Sequence, residues 1–414
     1  MPEAVIVSTA RTPIGRAVKG SLRQLRPDDL AERAIRAALD KVPQLDPTLL
    51  DDLYLGCGLP GGEAGFNMAR VVAVMLGYDR LPAATLTRYC ASSLQTTRMA
   101  FHAIKAGEGH AFVSAGVEAV SRYARGNSDA LPPEAAEMVD GSWKNPRFAQ
   151  AQERSAEAAA ASADSWHDPR RDGHLPDIYL AMGQTAENLA AVRGVTREEM
   201  DEFGVRSQNL AQAAIADGFW AKEITPVTLP DGTVVSADDG PRPNVTMEGV
   251  QGLKPVFRPN GTVTAGNCCP LNDGAAAVVV MSDTLAERLG LTPLARIVST
   301  GVTALSPEIM GLGPVDASRQ ALRNADLTID DMDLVEINEA FAAQVIPSYK
   351  DLGVPLEKLN VHGGAIAVGH PFGMTGARIT TTLLNGLEHT GGRYGLETMC
   401  VGGGQGMAMV LERL

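Results

Sequence analysis

Two segments of the 414-residue chain each place a reactive side chain ahead of a predicted helix. Cys90 lies in the run YCASSLQ and His370 in the run GHPFGMT, and an arginine follows each eight residues later, Arg98 or Arg378. A helix N-terminus and a nearby imidazole both lower the pKa of a thiol and concentrate the thiolate nucleophile. If the two segments are copies of one unit that face each other, the fold brings Cys90 and His370 together, which predicts covalent catalysis.

A third candidate, Cys400, ends an apolar stretch and is followed by the glycine-rich run VGGGQG. Such a turn can cradle phosphates, but neither G-x-G-x-x-G opening a helix nor G-x-x-x-x-G-K-[ST] is present. The alternative is that the glycines clear space around Cys400 and offer backbone N–H groups to an oxyanion. A lone cysteine is more often a buried structural residue, and the glycines and serines around these candidates favour function.

Alternating strands and helices must position these residues, and that alternation favours a mainly parallel sheet covered by helices. The same order recurs in the first and last thirds of the chain, so the sequence predicts two similar halves. The first third is predicted to contain strands near 4–9, 53–55 and 111–115 and helices 28–41, 67–76 and 90–106. The last third is predicted to contain strands 295–301, 333–336 and 398–402, a helix 316–324 and a helix beginning at His370.

The repeat predicts three regions. Residues 1–120 and 272–291 form the first half, because the apolar run 273–281 returns to it as a strand paralleling 405–411. Residues 292–414 form the second half, and 121–271 are an inserted loop domain. Within the insertion, the Ala-, Glu- and Pro-rich stretch 131–164 predicts a surface excursion with some helix.

Composition excludes several classes of protein. The formal net charge of −13 disfavours nucleic acid as a partner, because phosphate contacts need clustered Lys and Arg. No apolar run approaches the roughly 20 residues that cross a bilayer, and the start of the chain lacks a basic signal-peptide region, which predicts a cytoplasmic protein without membrane insertion. The five cysteines are odd in number and irregularly spaced, which argues against both a disulfide framework and a structural zinc site.

Over essentially its whole length the chain resembles the thiolase family. The resemblance is carried in order by RTPIG from Arg11, Cys90 with its SSLQ run, NEAFA from Asn338, GHP around His370 and CVGGG from Cys400. It implies an α/β fold of duplicated βαβαβαββ halves in a layered αβαβα core, with an inserted loop domain. It also implies CoA thioesters as substrates and no tightly bound cofactor or metal.

Residue roles follow from the same resemblance. Cys90 would be the nucleophile that becomes acylated, His370 would activate it, and Cys400 would move the proton at the α-carbon. Asn338 would hold a water that binds the thioester oxygen together with His370. The backbone N–H groups of Cys90 and Gly402 would form a second oxyanion hole. Residues implied in CoA contact are Met182, Arg242 at the nucleotide end, Phe257, Ala265, Cys269, Leu271, Ala340 and Phe341.

Several positions depart from the family pattern without removing a catalytic group. Thr87 stands where Asn is common, Ser93 where Gly is, Cys268 and Cys269 where a small pair such as Ala-Ser is, and His362 where Asn is usual. Biosynthetic members often carry His in place of Ala181, so its absence favours a degradative enzyme.

The sequence therefore predicts thiolytic cleavage of a 3-oxoacyl-CoA by CoA, reversible as a Claisen condensation and of the fatty-acid β-oxidation type. Alternatives are an acetoacetyl-CoA-forming acetyltransferase, a thiolase for steroid side chains, and a non-catalytic acyl-CoA binding subunit. The resemblance implies a homodimer or homotetramer.

Overall fold

The chain alternates strands and helices over most of its length in the computed structural model, which describes residues 2–125 and 144–414, side chains of 124 and 125 excepted. The strands are β1 (Ala4–Arg11), β2 (Gly15–Arg16), β3 (Asp52–Cys57), β4 (Ala83–Leu86), β5 (Ala111–Ala119), β6 (Val227–Thr228), β7 (Val234–Val235), β8 (Asn272–Ser282), β9 (Ala295–Ala304), β10 (Leu334–Ile337), β11 (Tyr394–Val401) and β12 (Gln405–Arg413). The helices are α1 (Pro27–Asp40), α2 (Met68–Met75), α3 (Ser92–Ala106), α4 (Ala149–Ala160), α5 (Met182–Arg193), α6 (Arg197–Ala216), α7 (Phe219–Glu223), α8 (Met247–Gln251), α9 (Asp283–Leu289), α10 (Gly313–Asn324), α11 (Ala342–Leu352), α12 (Ala365–Val368) and α13 (Thr375–Thr390).

The strand order of the main sheet shows the duplication directly. It runs β10-β11-β12-β9-β1-β8-β5-β3-β4. Outward from the centre, each half has two antiparallel pairings followed by a parallel one. In the first half these are β1 to β8, β8 to β5 and β5 to β3. In the second half they are β9 to β12, β12 to β11 and β11 to β10. The halves meet where β1 pairs β9 over two residues, Val5 with Arg296 and Ile6 with Ala295.

The halves differ in one strand. β4 lies parallel to β3 at the edge of the first half and was not among the strands predicted from the sequence. Its counterpart in the second half is only a single parallel bridge between Val335 and Leu359.

The apolar core has three layers. One lies between the two half-sheets, and one lies on the outer face of each half-sheet. On β8, Ala277, Val279 and Met281 belong to a core shared with α1 and α2. The alternate residues Val278 and Val280 belong to a second core shared with α3 and α13. Because side chains alternate along a strand, a strand buried on both faces is apolar throughout. A third core unites β10 and β11 with α10 and α11, giving the order helix, sheet, helix, sheet, helix.

Helices α3 and α13 form the middle layer and are the elements that follow the two predicted motifs. They pack so closely that a Cβ added to Gly376 would lie 2.2 Å from the backbone nitrogen of Leu94. The backbone N–H of Ala377 donates to Oγ of Ser93 across the same contact (2.9 Å). The two helices that follow Cys90 and His370 in the chain are therefore fixed to each other.

The insertion packs mainly on the second half, since α5 and α6 contact α11 and α6 also contacts α12. Helix α4 is mostly exposed, and Ala151 is its buried residue. The predicted surface excursion over 131–164 contains this helix, while its residues 131–143 lie outside the described part. Within the described ranges no helix is long and apolar enough to span a membrane.

Candidate active site

Cys90 lies in a tight turn, Tyr89–Ala91, that leads directly into α3. Tyr89 has a left-handed φ of 43°, a conformation that costs a non-glycine residue about 1–3 kcal/mol and often occurs at functional sites. Ser92 ties the turn, because its Oγ accepts from the backbone N–H of Arg88 (2.9 Å) and donates to the carbonyl oxygen of Tyr89 (2.6 Å). The sequence thus positions the thiol by local contacts.

The Cys90 thiol is buried, and burial raises its pKa to about 12. The backbone N–H of Gly402 donates a hydrogen bond to the sulfur and acts in the opposite direction, while the Glu118 carboxylate raises the pKa further. The Cys90 thiol is therefore neutral at pH 7, and the expectation of a pKa lowered by a helix N-terminus is wrong. Dehydration outweighs the helix terminus, so a base must remove the proton during reaction.

His370 lies five residues before α13, in the loop after α12, rather than at the helix start that the sequence predicted. Gly369 precedes it with a φ of 113°, and a Cβ at that position would lie 2.8 Å from the Asn272 side chain. That side chain accepts the backbone N–H of His370 (2.9 Å). Glycine is required here because no other residue allows both the backbone conformation and the close approach.

The hydrogen bonds of His370 determine its tautomer. Thr375 Oγ1 donates to the carbonyl oxygen of Pro371 (2.7 Å) and therefore accepts the proton on Nδ1 of His370 (2.6 Å). Nε2 therefore carries the lone pair and accepts a hydrogen bond from Nδ2 of Asn338 (3.3 Å). Burial, with a smaller contribution from the charge of Arg378, lowers the pKa of His370 to about 3. The imidazole is neutral at pH 7, the form that can accept a proton.

Asn338 follows β10, and its backbone N–H donates to the carbonyl oxygen of Thr398 on β11 (3.0 Å). Its Oδ1 is buried without a hydrogen-bond partner among the described residues. A buried oxygen left unpaired costs about 1–3 kcal/mol, so this atom is suited to receive a water or a substrate group.

Cys400 is fully buried near the end of β11, opposite Gly406 of β12. Gly403 and Gly404, with φ of 77° and 82°, turn the chain between these strands. The pKa of Cys400 lies well above its usual value, chiefly through burial and then through the proximity of Cys90. The same strand end therefore supplies a second thiol, and two residues later it supplies the Gly402 N–H that contacts Cys90.

Glu118 holds the His370 loop against the first half. Its carboxylate accepts the backbone N–H groups of Gly58 (2.7 Å) and Gly373 (2.8 Å) and the hydroxyl of Tyr123 (2.8 Å). A Cβ at Gly116 would lie 2.0 Å from the carbonyl oxygen of Gly373, so the loop lies directly on β5. Burial raises the pKa of Glu118, and these hydrogen-bond donors act in the opposite direction.

Two cavities adjoin this arrangement. The first, which we call the acyl cavity, has a volume of about 250 Å³ and reaches Cys90 and Gly402. The second, which we call the CoA cavity, has a volume of about 430 Å³ and carries Arg16 and Arg242. The acyl cavity is lined by Gly58, Leu59, Tyr89, Cys90, Ile178, Tyr179, Leu180, Ala181, Met182, Phe372, Gly402 and Gly403.

The structure separates the residues that the resemblance implied in CoA contact. Arg242, Ala265 and Cys269 line the CoA cavity, whereas Met182 lines the acyl cavity. The remaining four line neither: Phe257 packs edge-on against Phe341 with ring centroids 6.1 Å apart, Ala340 accepts the backbone N–H of Cys269 (3.1 Å), and Leu271 is exposed.

Sequence reasoning missed four residues of the site: Asn272, Thr375, Glu118 and Phe372. Thr375 was visible only as part of the GHPFGMT run. Phe372 lines the acyl cavity and packs edge-on against the His370 ring at a centroid distance of 5.3 Å. Asn272 and Glu118 gave no signal, because they lie 98 residues from His370 and 255 residues from Gly373 along the chain.

Comparisons with known proteins decide the family. The model of the thiolase N-terminal domain matches residues 4–284, and that of the thiolase C-terminal domain matches residues 291–413. The chain belongs to the thiolase family. It is therefore an acyltransferase, and enzymes of this family act on CoA thioesters without a tightly bound cofactor.

Full-length relatives of this thiolase carry two kinds of name. A beta-ketoadipyl-CoA thiolase of Acinetobacter baylyi is 40% identical, and a 3-ketoacyl-CoA thiolase of Pseudoalteromonas translucida is 42% identical, with 100% of both chains covered in each comparison. Two solved structures superpose at a TM-score of 0.84, covering 100% of this chain and 99% of the other: Bacillus anthracis acetyl-CoA acetyltransferase (38% identical) and human mitochondrial 3-ketoacyl-CoA thiolase (34% identical). The predicted fold class is confirmed.

Proposed function

We propose that this thiolase cleaves a 3-oxoacyl-CoA with free CoA, giving acetyl-CoA and a shortened acyl-CoA through an acyl-Cys90 intermediate, and that it also catalyses the reverse condensation. One observation carries this proposal. The Gly402 N–H that contacts the Cys90 sulfur lies two residues after Cys400, so one strand end brings an oxyanion donor and a second thiol to the nucleophile.

The residues have complementary roles. Nε2 of His370 removes the Cys90 proton, and the sulfur attacks the C3 ketone. The developing alkoxide receives the N–H groups of Cys90 and Gly402. The C2–C3 bond then breaks, and Cys400 protonates C2 to release acetyl-CoA, while Asn338 and His370 stabilise the enolate oxygen. Free CoA finally gives its thiol proton to the Cys400 thiolate, and its sulfur takes the acyl group from Cys90. The departing Cys90 thiolate regains its proton from His370.

These contributions are large enough without a metal. One oxyanion-hole donor contributes about 2.7–4 kcal/mol to lowering the barrier, and one positioned acid or base contributes about 10²- to 10⁴-fold. Desolvation of the site strengthens each of these interactions, because the field of a dipole is less screened away from water.

Mass spectrometry of the enzyme incubated with acyl-CoA tests the proposal. The acyl mass should appear on the Cys90 peptide, and Cys90→Ala should lose both the adduct and thiolysis. Cys57→Ala, which removes another buried cysteine, should retain the adduct. Activity that survives Cys90→Ala without an adduct would contradict the proposal, and CoA binding without turnover would favour the non-catalytic alternative.

The cleavage direction is supported by Ala181, which lines the acyl cavity beside Cys90. A methyl group at this position leaves room for an acyl group longer than acetyl. Thiolysis rates on short, long and branched 3-oxoacyl-CoA substrates separate β-oxidation from acetoacetyl-CoA formation and from steroid side-chain cleavage. A preference confined to acetoacetyl-CoA would contradict the degradative role.

We also propose the domain division 1–120 with 272–291, the insertion 121–271 and the second half 292–414. The two family matches support the last boundary, since one ends at residue 284 and the other begins at 291. The contacts of α5 and α6 with α11 support treating the insertion as a cover over the second half.

Finally, we propose a cytoplasmic homo-oligomer. The family resemblance supports the oligomer. Phe66 is a position at which to test it, because this side chain is 96% exposed while its neighbour Asn67 bonds β4 at Ala83 and Thr85 (3.0 and 2.9 Å). Light scattering at micromolar concentration should give a dimer or tetramer mass that Phe66→Asp reduces, and a monomer mass for the unmodified chain would contradict the proposal.

A further inference from the structure

The acyl cavity has an uncharged lining. Within the described residues, its walls consist of aliphatic side chains, aromatic side chains, the Cys90 thiol and glycine backbone, and no acidic or basic side chain contributes to them. Ile178, Leu180, Met182 and Phe372 form most of its apolar surface. Such walls favour apolar groups in proportion to the area removed from water.

The CoA cavity provides a contrast within the same molecule. It carries the guanidinium groups of Arg16 and Arg242 at a site suited to phosphate groups. Both cavities approach the reacting thiols, since Cys90 lines the acyl cavity and Cys269 lines the CoA cavity. Burial raises the pKa of Cys269, and the nearby Cys90 and Cys400 raise it further. Of the two cavities, only the CoA cavity therefore has cationic side chains among its described lining residues.

One buried carboxyl group lies behind the wall of the acyl cavity. The Glu118 carboxylate lies directly behind Gly58 and Leu59, two wall residues whose backbone N–H groups it accepts at 2.7 and 3.4 Å. An anion placed in this cavity would lose its hydration, and the described walls offer it no cationic side chain.

Overall identity to known proteins does not select the acyl group. Relatives named for beta-ketoadipyl-CoA, whose acyl group ends in a carboxylate, are 40–42% identical, and relatives named only for 3-ketoacyl-CoA are 41–42% identical. The chemistry of the acyl cavity in this chain therefore has to carry the choice between the two substrate classes.

We propose that the acyl cavity accepts an uncharged, apolar acyl group and discriminates against an acyl group that ends in a carboxylate. This inference rests on the proposed thiolase function. The physical reason is that an apolar tail gains from burial, whereas a carboxylate transferred from water into uncharged walls without a cationic partner is strongly disfavoured.

A matched pair of substrates tests the inference. 3-Oxohexanoyl-CoA and 3-oxoadipyl-CoA have six-carbon acyl groups and differ only at the terminal carbon, and thiolysis leaves butanoyl or succinyl on Cys90. We expect kcat/KM to be about 100-fold or more higher for 3-oxohexanoyl-CoA. Extending the uncharged chain by one methylene should raise kcat/KM about fourfold while the cavity still has room. Equal or better use of 3-oxoadipyl-CoA would overturn the inference.

A charge-introducing variant tests the cause. Ile178 lines the cavity and is 36% exposed, so a lysine there can place its ammonium group in the cavity without full burial. Ile178→Lys should raise the ratio of 3-oxoadipyl-CoA to 3-oxohexanoyl-CoA activity by about tenfold or more. The matched variant Ile178→Gln, polar but uncharged, should not. An equal effect of both variants would overturn the electrostatic explanation.

Lys144 provides a second decisive variant, because its ammonium group lies 5.6 Å from the ring centroid of Tyr179, a wall residue. If Lys144 recognised a terminal carboxylate, Lys144→Gln would selectively abolish 3-oxoadipyl-CoA thiolysis, and that outcome would also overturn the inference. We expect no selective loss.

The failure of the inference can be distinguished from the failure of the proposed function. Transfer of the acyl group from butanoyl-CoA or succinyl-CoA to Cys90 can be measured by mass spectrometry of the Cys90 peptide. This transfer requires no C–C cleavage, so its rate reports on the acyl cavity alone. Absence of any adduct and of thiolysis with both substrate classes would refute the thiolase function together with this inference. Adducts from succinyl-CoA as rapid as those from butanoyl-CoA would refute only the inference.

Discussion

At the scale of single residues, the two buried thiols have different tasks that one substitution should separate. In Cys400→Ser the side chain keeps its approximate size but becomes a much poorer acid, so protonation of C2 should slow. We expect thiolysis to fall about 10²- to 10⁴-fold. Transfer of an acetyl group from acetyl-CoA to Cys90 should persist, because that step forms no bond to carbon 2.

Thiolysis kinetics and the mass of the Cys90 peptide measure the two steps in the same preparation. Equal losses of both would mean that Cys400 only supports the structure around Cys90. A specific effect is expected because Cys400 is fully buried and the smaller serine hydroxyl fits the space of the thiol.

The protonation of His370 gives a second prediction at this scale. Its Nδ1 proton is held by Thr375, so Thr375→Val should remove the acceptor and free the ring to adopt the other tautomer. Because Nε2 would then carry the proton and could not receive one from Cys90, kcat should fall about 10²-fold or more. Rates of Cys90 acylation measure this step, and Thr375→Ser, which keeps the hydroxyl, should largely restore them.

At the scale of elements, the contact between α3 and α13 is what holds the two motifs together. Gly376→Ala should force these helices apart, because the new Cβ would lie 2.2 Å from the Leu94 nitrogen. Overpacking of this kind costs about 1–3 kcal/mol. Urea denaturation should show the lost stability, and thiolysis should decline because the Cys90 turn and the His370 loop shift together.

The matched control is Gly252→Ala, where an added Cβ has no neighbour within 4 Å and the backbone φ is −73°. Its stability should change by less than about 0.5 kcal/mol. A Gly376→Ala protein as stable and active as the control would show that the middle layer is more adaptable than its geometry indicates.

At the scale of the whole molecule, buried ionisable groups in the middle layer make stability depend on pH. Burial raises the pKa of Glu397 to about 8, and the neighbouring charge of Glu336 acts in the same direction. Between the ordinary pKa and about 8 the folded state binds a proton that the unfolded state has lost, so this group destabilises the fold increasingly as pH rises. The slope is about 1.4 kcal/mol per pH unit.

Glu397→Gln removes this dependence. We compare the free energy of unfolding of this variant with that of the unmodified chain. The variant's value minus that of the unmodified chain should be about 2–3 kcal/mol larger at pH 8.5 than at pH 6, because the variant is then the more stable protein. Urea denaturation at the two pH values measures the difference, and Glu357→Gln at an exposed position serves as the control. A pH-independent difference would mean that Glu397 stays ionised in the folded protein.

Much of the fold follows from the sequence because its signals are local. The apolar runs of β1 and β8, the helix pattern of α1 and the repeat of strand and helix order are visible in one dimension. β4 was missed, since its four half-buried residues carry little apolar pattern. The start of the His370 helix was also misplaced, because the glycine-rich loop before α13 resembles a helix N-terminus only in composition.

The sequence by itself predicted the family, the duplicated halves and the candidate reactive residues Cys90, His370 and Cys400. Their types and order are encoded directly in the chain. Only the tertiary structure decided that the Cys90 thiol rests in its neutral form and that cations line the CoA cavity but not the acyl cavity. The physical reason is that protonation and substrate selection depend on dehydration and charge from residues far apart in the chain, which only folding brings together.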